Sequence, residues 1–91
     1  MNREVNIDLR CLREKETAHT YLAEVLGFPE YYGRNLDALY DCLQEMNDCC
    51  LLLEHKDEAS LYGTYGEKIL RVIKEAAKEN PALTFLELPP E

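Results

Sequence analysis

Between Asp48 and Glu54 the chain reads Cys-Cys-Leu-Leu-Leu, five apolar residues without a polar interruption and with a carboxylate at either end. A run this short and this uniformly apolar fits a strand covered on both faces, the usual condition of a parallel sheet. Its neighbours have other periods. Val5, Ile7, Leu9 and Cys11 alternate with polar residues, which predicts a first strand with one buried face. Ala18, Tyr21, Leu22, Val25 and Leu26 recur at i, i+3, i+4, i+7 and i+8, one face of a helix. Gly27 ends that helix and Pro29 follows shortly beyond.

A second helix is predicted from Asn35 to Glu45, with Asn35 as N-cap and Leu36, Leu39, Leu43 and Met46 as its apolar stripe. Lys56 to Gly66 is polar and reads as a helical turn and a loop. Glu67 to Glu79 is the third clear helix, with Ile69, Val72, Ile73, Ala76 and Ala77 on its core face and Asn80-Pro81 as its stop. Ala82 to Leu88 is the last strand, and Pro89 and Pro90 close the chain. Helical crossovers between strands imply parallel pairing with right-handed connections. The expected fold is therefore α/β and two-layered, a three-stranded parallel sheet in the order 1-2-3 packed with helices. Residues 1–91 are expected to form one domain. A chain of this length buries about 60–65% of its unfolded surface, enough for a core without disulfides or metal.

Ten Lys and Arg stand against 18 Asp and Glu, a formal charge of −8. Such a chain repels nucleic-acid phosphates and anionic lipid and attracts basic proteins. Acidity also serves plain solubility. No apolar run approaches the roughly 20 residues that span a bilayer. MNREVNIDLR is charged and alternating, unlike a signal peptide, so the expected compartment is the cytoplasm. Cys11, Cys42, Cys49 and Cys50 form no C-x-x-C, and adjacent Cys49 and Cys50 on a strand face opposite sides. They read as structural thiols. His19 and His55 are isolated and show no ligand spacing. No metal and no cofactor are expected.

The residues that speak to function lie in PEYYGRNLDALYDCL, from Pro29 to Leu43. The helix presents Asp37, Tyr40, Asp41 and Gln44 along one side, beside Tyr31 and Tyr32. Asp37 and Asp41 are one turn apart, and like charges at that spacing cost an isolated helix a few tenths of a kcal/mol. Alone, that pair is an ordinary solvated face, and Asp37 also suits the positive end of the helix dipole. The aromatics change the reading, because Tyr31, Tyr32 and Tyr40 cannot all be core. Exposed tyrosine beside carboxylate is the composition of an interface hot spot. Two carboxylates could instead serve a glycosidase or hold Mg²⁺. No phosphate clamp, nucleophile elbow or P-loop accompanies them, so the chain does not read as an enzyme. Glu75 has Arg71 four residues before it and Lys78 three after, which supplies a surface ion-pair role.

LGFPEYYGRNLDALYDCL, from Leu26 to Leu43, resembles the signature of the barstar family, intracellular inhibitors of barnase-type ribonucleases. The resemblance implies inhibition by occlusion, with the loop and second helix plugging a basic active site. It implies that Tyr31 packs on the enzyme's catalytic histidine and that Asp41 takes the place of the substrate phosphate. Gly33, Asn35 and Asp37 fall on further contact positions, and Glu75 on an outlying one. The expected partner-binding set is thus Tyr31, Gly33, Asn35, Asp37, Tyr40, Asp41, Gln44 and Glu75, in a protein monomeric when free. Two positions depart from the family pattern. Tyr40 replaces the usual tryptophan, and Arg34 stands where the best-known member has an acid. A barstar-like module for a different toxin or a regulatory protein is the alternative.

Overall fold

A computed structural model describes residues 3–56 and 61–88. Strand β1 (Arg3–Asp8) leads into a short 3-10 turn, Leu9–Leu12, and helix α1 (Lys15–Leu26). Helix α2 (Leu36–Gln44), strand β2 (Cys49–Glu54), helix α3 (Tyr65–Glu79) and strand β3 (Leu83–Glu87) follow. All pairing is parallel, in the order β1-β2-β3, with Val5 opposite Leu51 and Leu51 opposite Phe85. The expected α/β sheet and its strand order are those observed. The helical turn expected between Lys56 and Gly66 falls largely on residues 57–60, outside the described residues, as do Pro89 and Pro90.

The first strand is shorter than its alternation suggests. Leu9 and Cys11 leave the strand because Asp8 accepts from the Arg10 N–H at 3.0 Å and starts a 3-10 turn. In that turn Leu9 and Leu12, three apart, both reach the core. A second correction concerns the apolar run of β2. Cys49, Leu51 and Leu53 are buried, whereas Cys50, Leu52 and Glu54 are only half-buried. One sheet face is covered, by the side on which Val5, Ile7, Leu51, Leu53 and Leu83 join Leu22, Leu39, Leu43, Ile69 and Ile73. Among the described residues the outer face of β2 is flanked by β1 and β3, so the central position of the strand accounts for its uniform apolarity.

Asp48 and His55, at the two ends of β2, both adopt left-handed backbone (φ 46° and 62°), which turns the chain sharply into and out of the sheet. No helix among the described residues is long and apolar enough to cross a membrane.

Candidate protein-docking site

The approach to α2 is built from a chain of local constraints. Gly27 adopts φ 71°, a left-handed conformation that closes α1, and the Phe28 N–H reaches back to the Ala23 carbonyl at 2.9 Å. Pro29 to Tyr32 then form a turn closed by the Tyr32 N–H on the Pro29 carbonyl at 3.0 Å. The turn sends its two tyrosines in opposite directions. Tyr31 is 88% exposed, whereas Tyr32 is buried against Phe28, with ring centroids 4.8 Å apart. Gly33 follows, exposed, in a place where an added Cβ would lie 3.3 Å from both the Ala38 Cβ and the Asn35 Nδ2.

Asn35 does two jobs with one side chain. Its Oδ1 accepts the Ala38 N–H at 2.7 Å, capping α2, and its Nδ2 donates to the Gly33 carbonyl at 3.3 Å, tying the loop to the helix. Arg34, between them, is left-handed at φ 53° and exposed. It is the sole Lys or Arg between Gly27 and Glu54, a stretch that also contains Glu30, Asp37, Asp41, Glu45 and Asp48.

Helix α2 buries Leu39 and Leu43 and turns Asp37 and Asp41 to solvent, with Tyr40 half-buried between the two faces. Among the described residues neither carboxylate makes an ion pair or a side-chain hydrogen bond. Gln44 behaves differently from the other residues of this side. Its Nε2 donates to the Ala76 carbonyl at 3.0 Å, so it braces α2 against α3. Glu75, exposed, is the residue next to that brace. The ion pair that sequence spacing offers Glu75 does not form. Arg71 lies toward Glu67 instead, at 3.9 Å, which leaves Glu75 without an ion-pair partner among the described residues. Tyr31, Gly33, Asn35, Asp37 and Asp41 are thus all exposed, along the loop and the first turns of α2. Tyr40 borders them, and Gln44 and Glu75 mark where α2 meets α3.

Asn80, His19 and Tyr65 make long-range contacts around this site that the sequence does not signal clearly. Asn80, buried at the end of α3, spreads its Nδ2 over the carbonyls of Leu43, Gln44 and Met46 at 3.0, 3.2 and 3.0 Å. It thereby satisfies the carboxyl end of a different helix. His19 is fully buried, its Nδ1 2.6 Å from the Tyr32 Oη and its Nε2 2.7 Å from the Tyr65 Oη. Burial holds the imidazole below its ordinary range, and Lys15 and Arg34 add to the effect. Burial likewise raises both tyrosine phenols, so they stay neutral. His19 precedes Leu22 by three residues and Leu26 by seven, the one hint that it shares the apolar face of α1.

The chemistry of this surface is that of exposed carboxylates beside a capped helix end. Among the described residues no group of three His, Cys, Asp or Glu is placed to hold a metal ion. Cys49 is buried and Cys11, Cys42 and Cys50 are half-buried, all as free thiols. The exposed features here are a capped helix end, two carboxylates one turn apart that are unpaired among the described residues, and a projecting tyrosine. They offer charge-assisted acceptors to a basic surface.

A family profile described as Barstar (barnase inhibitor) matches residues 2–86. The chain belongs to the barstar family. A protein of Bacillus subtilis (strain 168) named "Putative ribonuclease inhibitor YrdF" is 42% identical over 80 residues, 85% of this chain and 88% of the relative. Proteins of the barstar family are inhibitors rather than enzymes.

Proposed function

We propose that this barstar-family protein inhibits a barnase-type extracellular ribonuclease by seating the Tyr31–Asn35 loop and the exposed face of α2 in the enzyme's active site. A ribonuclease that binds an RNA backbone presents a cluster of cations in a cleft. Asp41 and Asp37 then act as fixed substitutes for phosphate, and Tyr31 fills the space of a substrate base or stacks on a catalytic side chain. The observation that carries this reading is the state of Asp37 and Asp41. Both are exposed on a helix capped at one end by Asn35 and closed at the other by Asn80, and among the described residues neither is engaged by a cation. Preorganised carboxylates lose little conformational freedom on docking and exchange water for guanidinium or imidazolium donors.

Titration of a barnase-type ribonuclease with this protein tests the reading. Activity should fall linearly to near zero at one equivalent, and the association rate should drop as salt is raised. Full activity at a several-fold excess of the protein would refute it. Arg34 favours a second reading at the level of the partner. A lone exposed cation inside an acidic docking surface suits a target, such as another toxin, with an acidic group opposite that position.

A further inference from the structure

Among the described residues, a buried side-chain contact links the docking loop to the rest of the fold, and it spans three elements. Tyr32 leads from the loop to His19 on α1, and His19 leads to Tyr65, the first residue of α3. The two exposed loop residues that the functional reading uses, Tyr31 and Gly33, flank Tyr32 in the chain. Their backbone therefore follows the position of the Tyr32 ring, which Phe28 packs on one side and His19 holds at its hydroxyl.

The far end of this strut is anchored by unusually close packing. The Tyr65 N–H donates to the Arg13 carbonyl at 3.3 Å, which draws the start of α3 onto the link between the 3-10 turn and α1. Gly66 makes that approach possible. A Cβ there would lie 2.8 Å from the Leu12 carbonyl oxygen and 2.6 Å from the Leu61 Cδ2, and the Leu12 backbone cannot yield. Glycine at 66 thus brings the Tyr65 hydroxyl within reach of His19. Hydrogen-bond logic then requires the chain to run one way through the imidazole, with the tautomer setting which way. A neutral imidazole has one N–H donor and one lone-pair acceptor, so one tyrosine hydroxyl accepts from His19 and the other donates to it. Both ring nitrogens are engaged, and no buried side-chain nitrogen or oxygen among the described residues lacks a partner.

We propose that His19 and Tyr65 are positioning residues for the docking loop, a buried strut that holds the Tyr31–Gly33 segment in its binding geometry through Tyr32. The strut touches no partner. Its effect on inhibition is indirect and rests on the functional reading above, whereas its effect on loop order does not.

Tyr65→Phe tests it, since the ring and its packing are kept and only the hydroxyl is lost. In the free protein, amide exchange of Tyr32 and Ala38, whose N–H groups are bonded within the loop and its cap, should accelerate about five- to tenfold. Leu51 and Leu53 in the central strand should change less, which separates a local loosening from a global loss of stability. His19→Gln, which keeps one donor and one acceptor, should preserve more loop protection than His19→Leu. Against a barnase-type ribonuclease, the dissociation rate of the Tyr65→Phe complex should rise by a similar factor while the variant remains folded. Loop exchange that tracks the central strand in every variant would overturn the strut. Failure of the unsubstituted protein to bind the ribonuclease would instead overturn the functional reading, with the exchange comparison still deciding the strut.

Discussion

Tyr31 and Tyr32 are adjacent in the chain and opposite in the fold: Tyr31 is 88% exposed, and Tyr32 is 8% exposed with its hydroxyl 2.6 Å from the His19 Nδ1. One turn, closed from Tyr32 to Pro29, divides a tyrosine for solvent from a tyrosine for the core. Substitutions at the two positions should therefore separate binding from stability. Tyr31→Ala is expected to weaken ribonuclease binding by about 2 kcal/mol or more, as for an aromatic hot spot, with an unchanged urea midpoint. Tyr32→Ala is expected to lower stability by about 3–5 kcal/mol, the scale of a buried aromatic truncated in a core. Paired urea unfolding and binding titrations check both.

His19 gives stability a pH dependence of definite sign. Its surroundings are Lys15 on its own helix, Arg34 in the loop, and the neutral hydroxyls of Tyr32 and Tyr65; burial and the two cations lower its pKa from 6.5. The unfolded chain therefore binds a proton more readily than the folded one, and the contribution is fully present above pH 6.5. It is lost as pH falls through 6.5 toward the folded value. Urea midpoints measured between about pH 8 and pH 5 should decline below neutrality, and His19→Gln should flatten that decline. An equal decline in the variant would assign the effect to other groups.

Asn80 joins the end of α3 to the end of α2 through three carbonyls and also accepts the Ala82 N–H at 3.0 Å. Asn80→Ala leaves those groups to water or to no partner, at an expected cost of about 1–3 kcal/mol. Asn80→Asp should cost at least as much, because a carboxylate would face three carbonyl oxygens. The carboxyl end of α2 loosens in both, so affinity for a ribonuclease should fall along with the denaturation midpoint.

Much of this architecture can be read from residue patterns, and the exceptions have identifiable causes. The period of α1 and the apolar run of β2 mark their elements because each exceeds one repeat of its own geometry. Leu9 and Cys11 mislead because, over four residues, alternation and a 3-10 turn place apolar groups at overlapping positions; only the Asp8 side chain decides between them. The proposed docking residues from Tyr31 to Asp41 form a dense local motif. His19, Tyr65 and Asn80 do not, because each acts across 13 or more positions of the chain on groups that only the fold brings near. Gln44 shows the same limit from the other side. It shares a helix side with Asp37 and Asp41, yet its amide is drawn to Ala76 of α3.

The dissociation constant of the complex with a barnase-type ribonuclease, measured for the unsubstituted protein and for Asp41→Ala, tests the central claim most directly. Asp41 is exposed and makes no ion pair among the described residues, so its loss should leave the free protein's stability nearly unchanged. The account predicts a tight one-to-one complex weakened by about 2–4 kcal/mol, roughly 30- to 1,000-fold, on substitution. Equal affinity of the two proteins for the enzyme would contradict it.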